Sequence, residues 1–307
     1  MITSFFNKSR PIYFVLVFFI ALLAFFVARI DSVDGGITLD FVLKQTVLLL
    51  VMFGSILMLN FIVSKNSLSN NNNYEVVLFS LFLLFITQAT NDANVLFSNF
   101  FVLLGLRRTV SLRSPKNTKK KLFDAAFWIA IAAFFYFWSI LFFVLILLSL
   151  ALYSDRNVRH WVIPFLGVTT VILISALVSV VVYDDFFEII NVVPAVSYDF
   201  SNYNSMAYLI AITVLLSFGI WSSIYYLKNI KKKQKAFRAS FKTIILATVI
   251  SFFIVILAPE KNGSEFLFLF APLAIIMANY LEIVEDKWFK EIFLAVLLIL
   301  PFALLLL

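Results

Sequence analysis

Asp31 and Asp34 follow directly on a long apolar run, in Arg29-Ile30-Asp31-Ser32-Val33-Asp34-Gly35-Gly36. A carboxylate at a membrane boundary can serve as a general base or hold a divalent cation through its hard oxygens, so both are candidate catalytic residues. Asp92 sits in a second polar knot, Thr90-Asn91-Asp92-Ala93-Asn94, with Gln88 just before it. Its flanking apolar runs are short, and an ionisable group below a membrane surface is a functional candidate by default. Asn91 and Asn94 are its nearest polar neighbours in sequence. Three cations, Arg29, Lys44 and Lys261, fall among these carboxylates, far from the other basic residues. Arg29 or Lys261 beside a membrane cavity would suit a lipid phosphate. Each residue has a plainer alternative: carboxylates cap turns in solvated loops, and long cationic side chains snorkel to headgroups.

Composition removes several chemistries. The chain has no cysteine and one histidine, His160, so disulfides, thiolate metal sites and paired-imidazole haem or zinc ligation are excluded. No P-loop or glycine-rich nucleotide motif is present, and no apolar run carries a charge near its middle. Proton pumps and many ion-coupled carriers need such charges. A net charge of +7 would suit nucleic acid in a soluble protein. Here it reflects basic residues retained on one side of a bilayer, and nucleic acid is not an expected partner.

The elements that must position these residues are membrane helices. The chain is 63% hydrophobic and 13% charged, with a mean hydropathy of +1.03. A water-soluble fold cannot hide that much apolar surface. Apolar stretches fall at 12–30, 43–63, 74–90, 94–106, 122–135, 137–153, 161–182, 205–227, 243–257, 265–281 and 290–307. The run after Lys8 and Arg10 is too long for a signal-peptide core and reads as the first span. The pattern predicts an all-α polytopic bundle of about eleven spans, forming one membrane-embedded domain over 1–307 with its N-terminus in the cytoplasm. That arrangement puts 21 of 24 basic residues on the cytoplasmic side, seven of them in 107–121 and seven in 228–242. The same side choice requires 74–106 and 122–153 each to be a hairpin of two helices. Segments 94–106 and 122–135 would then span only about 20 Å of a hydrocarbon core roughly 30 Å thick. Their tips are expected inside the membrane, around a water-filled depression open to the exterior. The basic 107–121 loop is expected to lie on anionic headgroups. Phe186, Phe187, Ile190 and Val193 share one helical face opposite Asp184, Glu188 and Asn191, which predicts a short interfacial helix stopped by Pro194.

From Asn94 to Ile172 the chain resembles the membrane module of C-type glycosyltransferases that use polyprenyl-phosphate sugars. The likeness rests on a short helix Val95–Leu106, Arg107-Arg108, a lysine-rich connector, a short helix pair, Trp161-Val162-Ile163-Pro164 and a further long span. The first loop, with Asp31 and Asp34, sits where that family places its acidic catalytic residue. The family's adjacent acidic pair is not matched, because Ser32 and Val33 separate the two aspartates. As a whole the chain looks like an uncharacterised bacterial family of inner-membrane proteins. The resemblance implies a bacterial cytoplasmic-membrane protein of the cell envelope handling a lipid-linked glycan at the outer face. Asp31 or Asp34 would act as base or hold a divalent cation, Asp92 would shape the cavity, and Arg29 or Lys261 would hold the carrier phosphate. Two other classes fit the same sequence: a non-catalytic subunit of a secretion or envelope-assembly complex with protein partners, and a lipid or solute transporter.

Overall fold

Two helices are too short to cross a bilayer, and the bundle is built around one of them. The computed structural model describes residues 11–30, 38–70, 72–153, 157–186 and 195–306. Among these, the helices are α1 (Pro11–Val27), α2 (Leu39–Asn66), α3 (Tyr74–Phe85), α4 (Ala93–Val110), α5 (Thr118–Phe135), α6 (Phe142–Leu152), α7 (Val158–Tyr183), α8 (Met206–Ile230), α9 (Lys235–Leu257), α10 (Leu267–Ile283) and α11 (Lys287–Leu304). Six of the helical segments are long and apolar enough to span a membrane, and the protein is a multi-pass membrane protein. Asp31, Asp34, Lys8, Arg10 and Phe187 to Pro194, which include most of the expected interfacial helix, lie outside the described residues.

Both expected breaks form, near Asp92 and near Tyr136. The chain leaves α3 at Ile86, passes through a 3-10 turn at Thr87–Thr90 and enters α4 at Ala93. It leaves α5 at Tyr136, passes through Phe137–Leu141 and enters α6. The shortness falls on the other members of each pair, however. α4 and α5 each have 18 residues, about 27 Å. α3 has 12 residues and α6 has 11, about 17 Å. Arg107 and Arg108 extend α4 because cations in a last turn complement the helix dipole.

Every residue of α3 is buried, as is α10 from Leu267 to Leu281. The two pack together, with α1 and α11 closing on α3 and α8 and α9 on α10. α10 also touches α4, so α3 and α4 are splayed around it and do not form a tight pair. Proline in so enclosed a helix needs compensation. Pro272 lacks the N–H that would bond to the Phe268 carbonyl, and the Ser251 hydroxyl of α9 reaches that carbonyl at 2.9 Å. A second layer, α4–α5–α7, is held by small residues. Gly105 lies against Ile129 and the Ala125 carbonyl, and Gly167 against the Phe123 carbonyl and Ala126. α7 is the most lipid-exposed element, with Leu173, Leu177 and Val181 facing out.

The helices alternate in direction, so their ends form two faces. On the basic face, Arg113 meets the Asn66 carbonyl, Tyr153 meets Val110 and Ser240, and Asn279 meets the Leu68 carbonyl. On the opposite face, Arg29 meets Thr90, Trp138 meets the Ala195 carbonyl and Tyr208 meets the Asn262 carbonyl.

Candidate functional site

The opposite face brings several of the expected residues together and gives them structural work. Arg29 is buried just beyond α1. Its Nε donates to Gln45 Oε1 at 2.6 Å, one Nη to Thr90 Oγ1 at 3.0 Å and the other to the Thr90 carbonyl, while its guanidinium lies 3.6 Å from the Phe25 ring centroid. Thr90 has no exposed surface, so this arginine ties the first loop to the α3–α4 turn. Asp92 is half-exposed and caps α4, accepting from the backbone N–H of Asn94 at 2.8 Å and of Val95 at 3.3 Å. Asn91 and Asn94 are exposed beside it. Lys261 is buried, and its Nζ donates to the Val255 and Ile256 carbonyls at 2.8 and 2.5 Å, closing the last turn of α9. The Phe200 ring covers that ammonium at 4.8 Å.

These contacts occupy part of the space between the hairpin tips among the described residues. The Arg29 guanidinium fills the space beside Thr90. The segment 195–205 lies across the tips: Phe200 covers Lys261, and Tyr203 packs on Tyr208 and Phe266. Asp199 in that segment accepts the Ser201 N–H at 2.9 Å, which holds its carboxyl below the ordinary carboxylate range. Asp92, Glu260 and Glu265 lie within electrostatic reach of the buried Tyr136 hydroxyl, so some of the acidic character expected of this face does converge there. Glu265 accepts the Gly263 N–H, and Gly263 adopts a left-handed φ of 95°.

The basic face holds a different arrangement. A cavity of about 310 Å³ is lined by six cationic side chains, Lys65, Arg107, Arg108, Arg113, Lys116 and Lys121, together with Phe61, Asn66, Ser111, Ser114 and Asn117. Four pieces of local structure place them. Lys65 comes from the last turn of α2, whose left-handed cap at Ser67 returns its N–H to the Ser64 and Val63 carbonyls. Arg107 and Arg108 come from the last turn of α4. A 3-10 turn at Ser111–Arg113 carries Arg113 under the α2 end, with its guanidinium 3.9 Å from the Phe237 ring. Asn117, left-handed at φ 56°, reverses the chain so that Lys121 returns over the turn and donates to the Ser111 and Ser114 carbonyls at 2.7 and 2.8 Å.

The charges there are poorly offset. Asp124, outside the lining, pairs with Arg108 at 2.8 Å, and no acidic side chain among the described residues lines the cavity. Arg108 stands close enough to repel both Arg107 and Lys121. Arg107 is kept in place by its stack on Phe61, 4.3 Å to the centroid. A cavity of that size, walled on one side by a lipid-facing aromatic and on the others by crowded cations, suits a phosphate at the end of a hydrocarbon chain. The seven basic residues of 107–121 signalled anionic headgroups from sequence. Phe61, Lys65 and Asn66 did not, because they come from a helix more than forty residues earlier. The described residues contain no cluster of three or more His, Cys, Asp or Glu side chains arranged for a metal ion.

Over residues 1–306 the chain matches a family of unknown function (DUF6427), and it belongs to that family. No curated protein matches it. No solved structure matches it.

Proposed function

We propose that this member of the family is a lipid-handling membrane protein that holds the phosphate of an anionic lipid at its basic face. The observation that carries the reading is the convergence of six cations from α2, α4, the following turn and α5 on one cavity. The basic residues concentrate at this face, which supports a cytoplasmic location for it and for the N-terminus. A polyprenyl-phosphate-linked glycan is the lipid class that the C-type glycosyltransferase resemblance suggests. Arg29 and Lys261 are engaged by protein groups, and Arg113 by the Asn66 carbonyl and the Phe237 ring, so the basic-face phosphate falls to Arg107 and Lys116, across the membrane from the Arg29 face. The glycosyltransferase part of the reading is separate from this cavity and rests on Asp31 and Asp34, which follow Arg29 of the opposite face in sequence. It is tested by deleting the gene and profiling lipid carriers and glycans.

Lipid retention tests the site directly. The full chain, purified from membranes, is measured by native mass spectrometry for bound anionic and zwitterionic phospholipid. A cation near an anionic headgroup contributes about 1 kcal/mol, so Arg107→Gln with Lys116→Gln should lower anionic-lipid retention roughly thirtyfold at low salt, less at high salt. Zwitterionic lipid should be unaffected. Undiminished anionic retention in a folded double variant would overturn the proposal. A non-catalytic subunit reading gains its own support from Glu282, which accepts from Ser69 Oγ at 2.6 Å, the Asn70 N–H at 3.0 Å and Asn72 Nδ2 at 2.5 Å. That contact ties the α2–α3 loop to the end of α10.

A further inference from the structure

A second cavity on the basic face has the opposite chemistry. It measures about 400 Å³ and is walled by Trp221 and Tyr225 of α8, Tyr280 of α10 and Phe289 of α11, with Glu285 and Asp286 at its mouth. The four rings are mutually braced. Trp221 lies 5.4 Å from Tyr225 and 6.3 Å from Phe289, Tyr225 lies 5.2 Å from Tyr280, and Trp221 Nε1 donates to the Tyr280 hydroxyl at 2.7 Å. We propose that this aromatic box binds the ammonium group of a zwitterionic phospholipid, with Glu285 and Asp286 as its counter-charges.

Two independent features favour a cation there. Aromatic faces attract an ammonium within about 6 Å through their quadrupole, and Trp and Tyr do so best. Neither carboxylate is engaged by another side chain among the described residues; Asp286 stands at the N-cap of α11 and makes no side-chain cap bond. The position argues for a lipid over a soluble amine. Trp221, Tyr225 and Phe289 are partly exposed on helices that face the bilayer, near the level of the basic loops where headgroups lie. Lys228, whose Nζ is 5.6 Å from the Tyr225 ring, is within reach of the phosphate that follows the ammonium in such a lipid.

The test uses the full chain in nanodiscs containing equal phosphatidylethanolamine and phosphatidylglycerol, with bound lipid counted by native mass spectrometry after detergent release. Glu285→Gln with Asp286→Asn should lower phosphatidylethanolamine retention at least fivefold and leave phosphatidylglycerol unchanged. Trp221→Leu should do the same, whereas Trp221→Phe, which keeps a smaller aromatic face and loses the bond to Tyr280, should retain more of the binding than Trp221→Leu. Millimolar choline should displace the lipid. Equal phosphatidylethanolamine retention in the carboxylate variant, with thermal stability unchanged, would overturn the proposal. Choline binding with no lipid retained would also overturn it, by assigning the box to a soluble amine. The phosphate site fails or stands on the phosphatidylglycerol arm, so the two proposals are separable.

Discussion

Replacing Ser251 with alanine should destabilise the bundle through one carbonyl on a different helix. Ser251 and Phe268 are buried, and the Ser251 hydroxyl lies 2.9 Å from the Phe268 carbonyl. That carbonyl has no intrahelical partner, because the residue four positions on is Pro272. The hydroxyl is also 2.8 Å from the Ala247 carbonyl of its own helix, so one proton serves two acceptors and the bond to Phe268 is less than full strength. Side-chain hydrogen bonds between membrane helices average about 0.6 kcal/mol and reach about 1.7. A buried carbonyl left without a donor costs about 1–3 kcal/mol. The expected loss is about 1 kcal/mol, roughly a fivefold change in the unfolding equilibrium constant. Serine to alanine removes almost no volume, so no cavity term obscures the result. A double-mutant cycle isolates the effect. In a Pro272→Ala background the new N–H bonds to the Phe268 carbonyl, and Ser251→Ala should then cost only a few tenths of a kcal/mol. Reversible unfolding of the detergent-solubilised chain, in SDS or by heat, supplies all four numbers. Equal losses in the two backgrounds would refute the assignment of Ser251 as the partner of the proline-freed carbonyl.

Three other substitutions and fusions follow from the same structure. Asp92→Asn should be silent in stability, because asparagine caps a helix as well as aspartate, whereas Asp92→Ala should cost about 1 kcal/mol of thermal stability; loss of an in vivo phenotype in Asp92→Asn at normal protein levels would show a role beyond the cap. Gly167→Val should destabilise by about 1–3 kcal/mol or prevent accumulation, since even its first added carbon would meet the Phe123 carbonyl at 2.8 Å; normal thermal unfolding of that variant would contradict the α5–α7 packing. Reporter fusions at Pro115 and Lys232 should report one side of the membrane and a fusion at Gly263 the other, and a shared side for Pro115 and Gly263 would overturn the alternating topology.

Much of the architecture was legible in the chain itself. Hydropathy and the grouping of basic residues are local properties, and they placed the eleven helices of the described residues and the breaks near Asp92 and Tyr136. Polar residues at a break must be satisfied somewhere inside the bilayer, and that requirement marked the α3–α4 turn as notable before any contact was known. The partners themselves were not legible. Arg29 and Thr90 are 61 residues apart, and Ser69 and Glu282 are 213 apart. No periodicity within either segment encodes which side chain meets which. Arg29 and Lys261 stood out because cations are rare on their face, and rarity reads the same for a ligand-binding cation as for one holding carbonyls. The reverse error affected Lys65 and Trp221, which look ordinary in their helices. Lys65 becomes part of a cation-lined cavity when α2 packs on α4, and Trp221 joins three other rings around a second cavity when α8 packs on α10. Apolar pattern and charge decide that these segments enter the membrane and in which alternation. Close contacts at Gly105, Gly167 and the Ser251 hydroxyl decide their mutual register, and only that register determines which charged and aromatic side chains share a cavity.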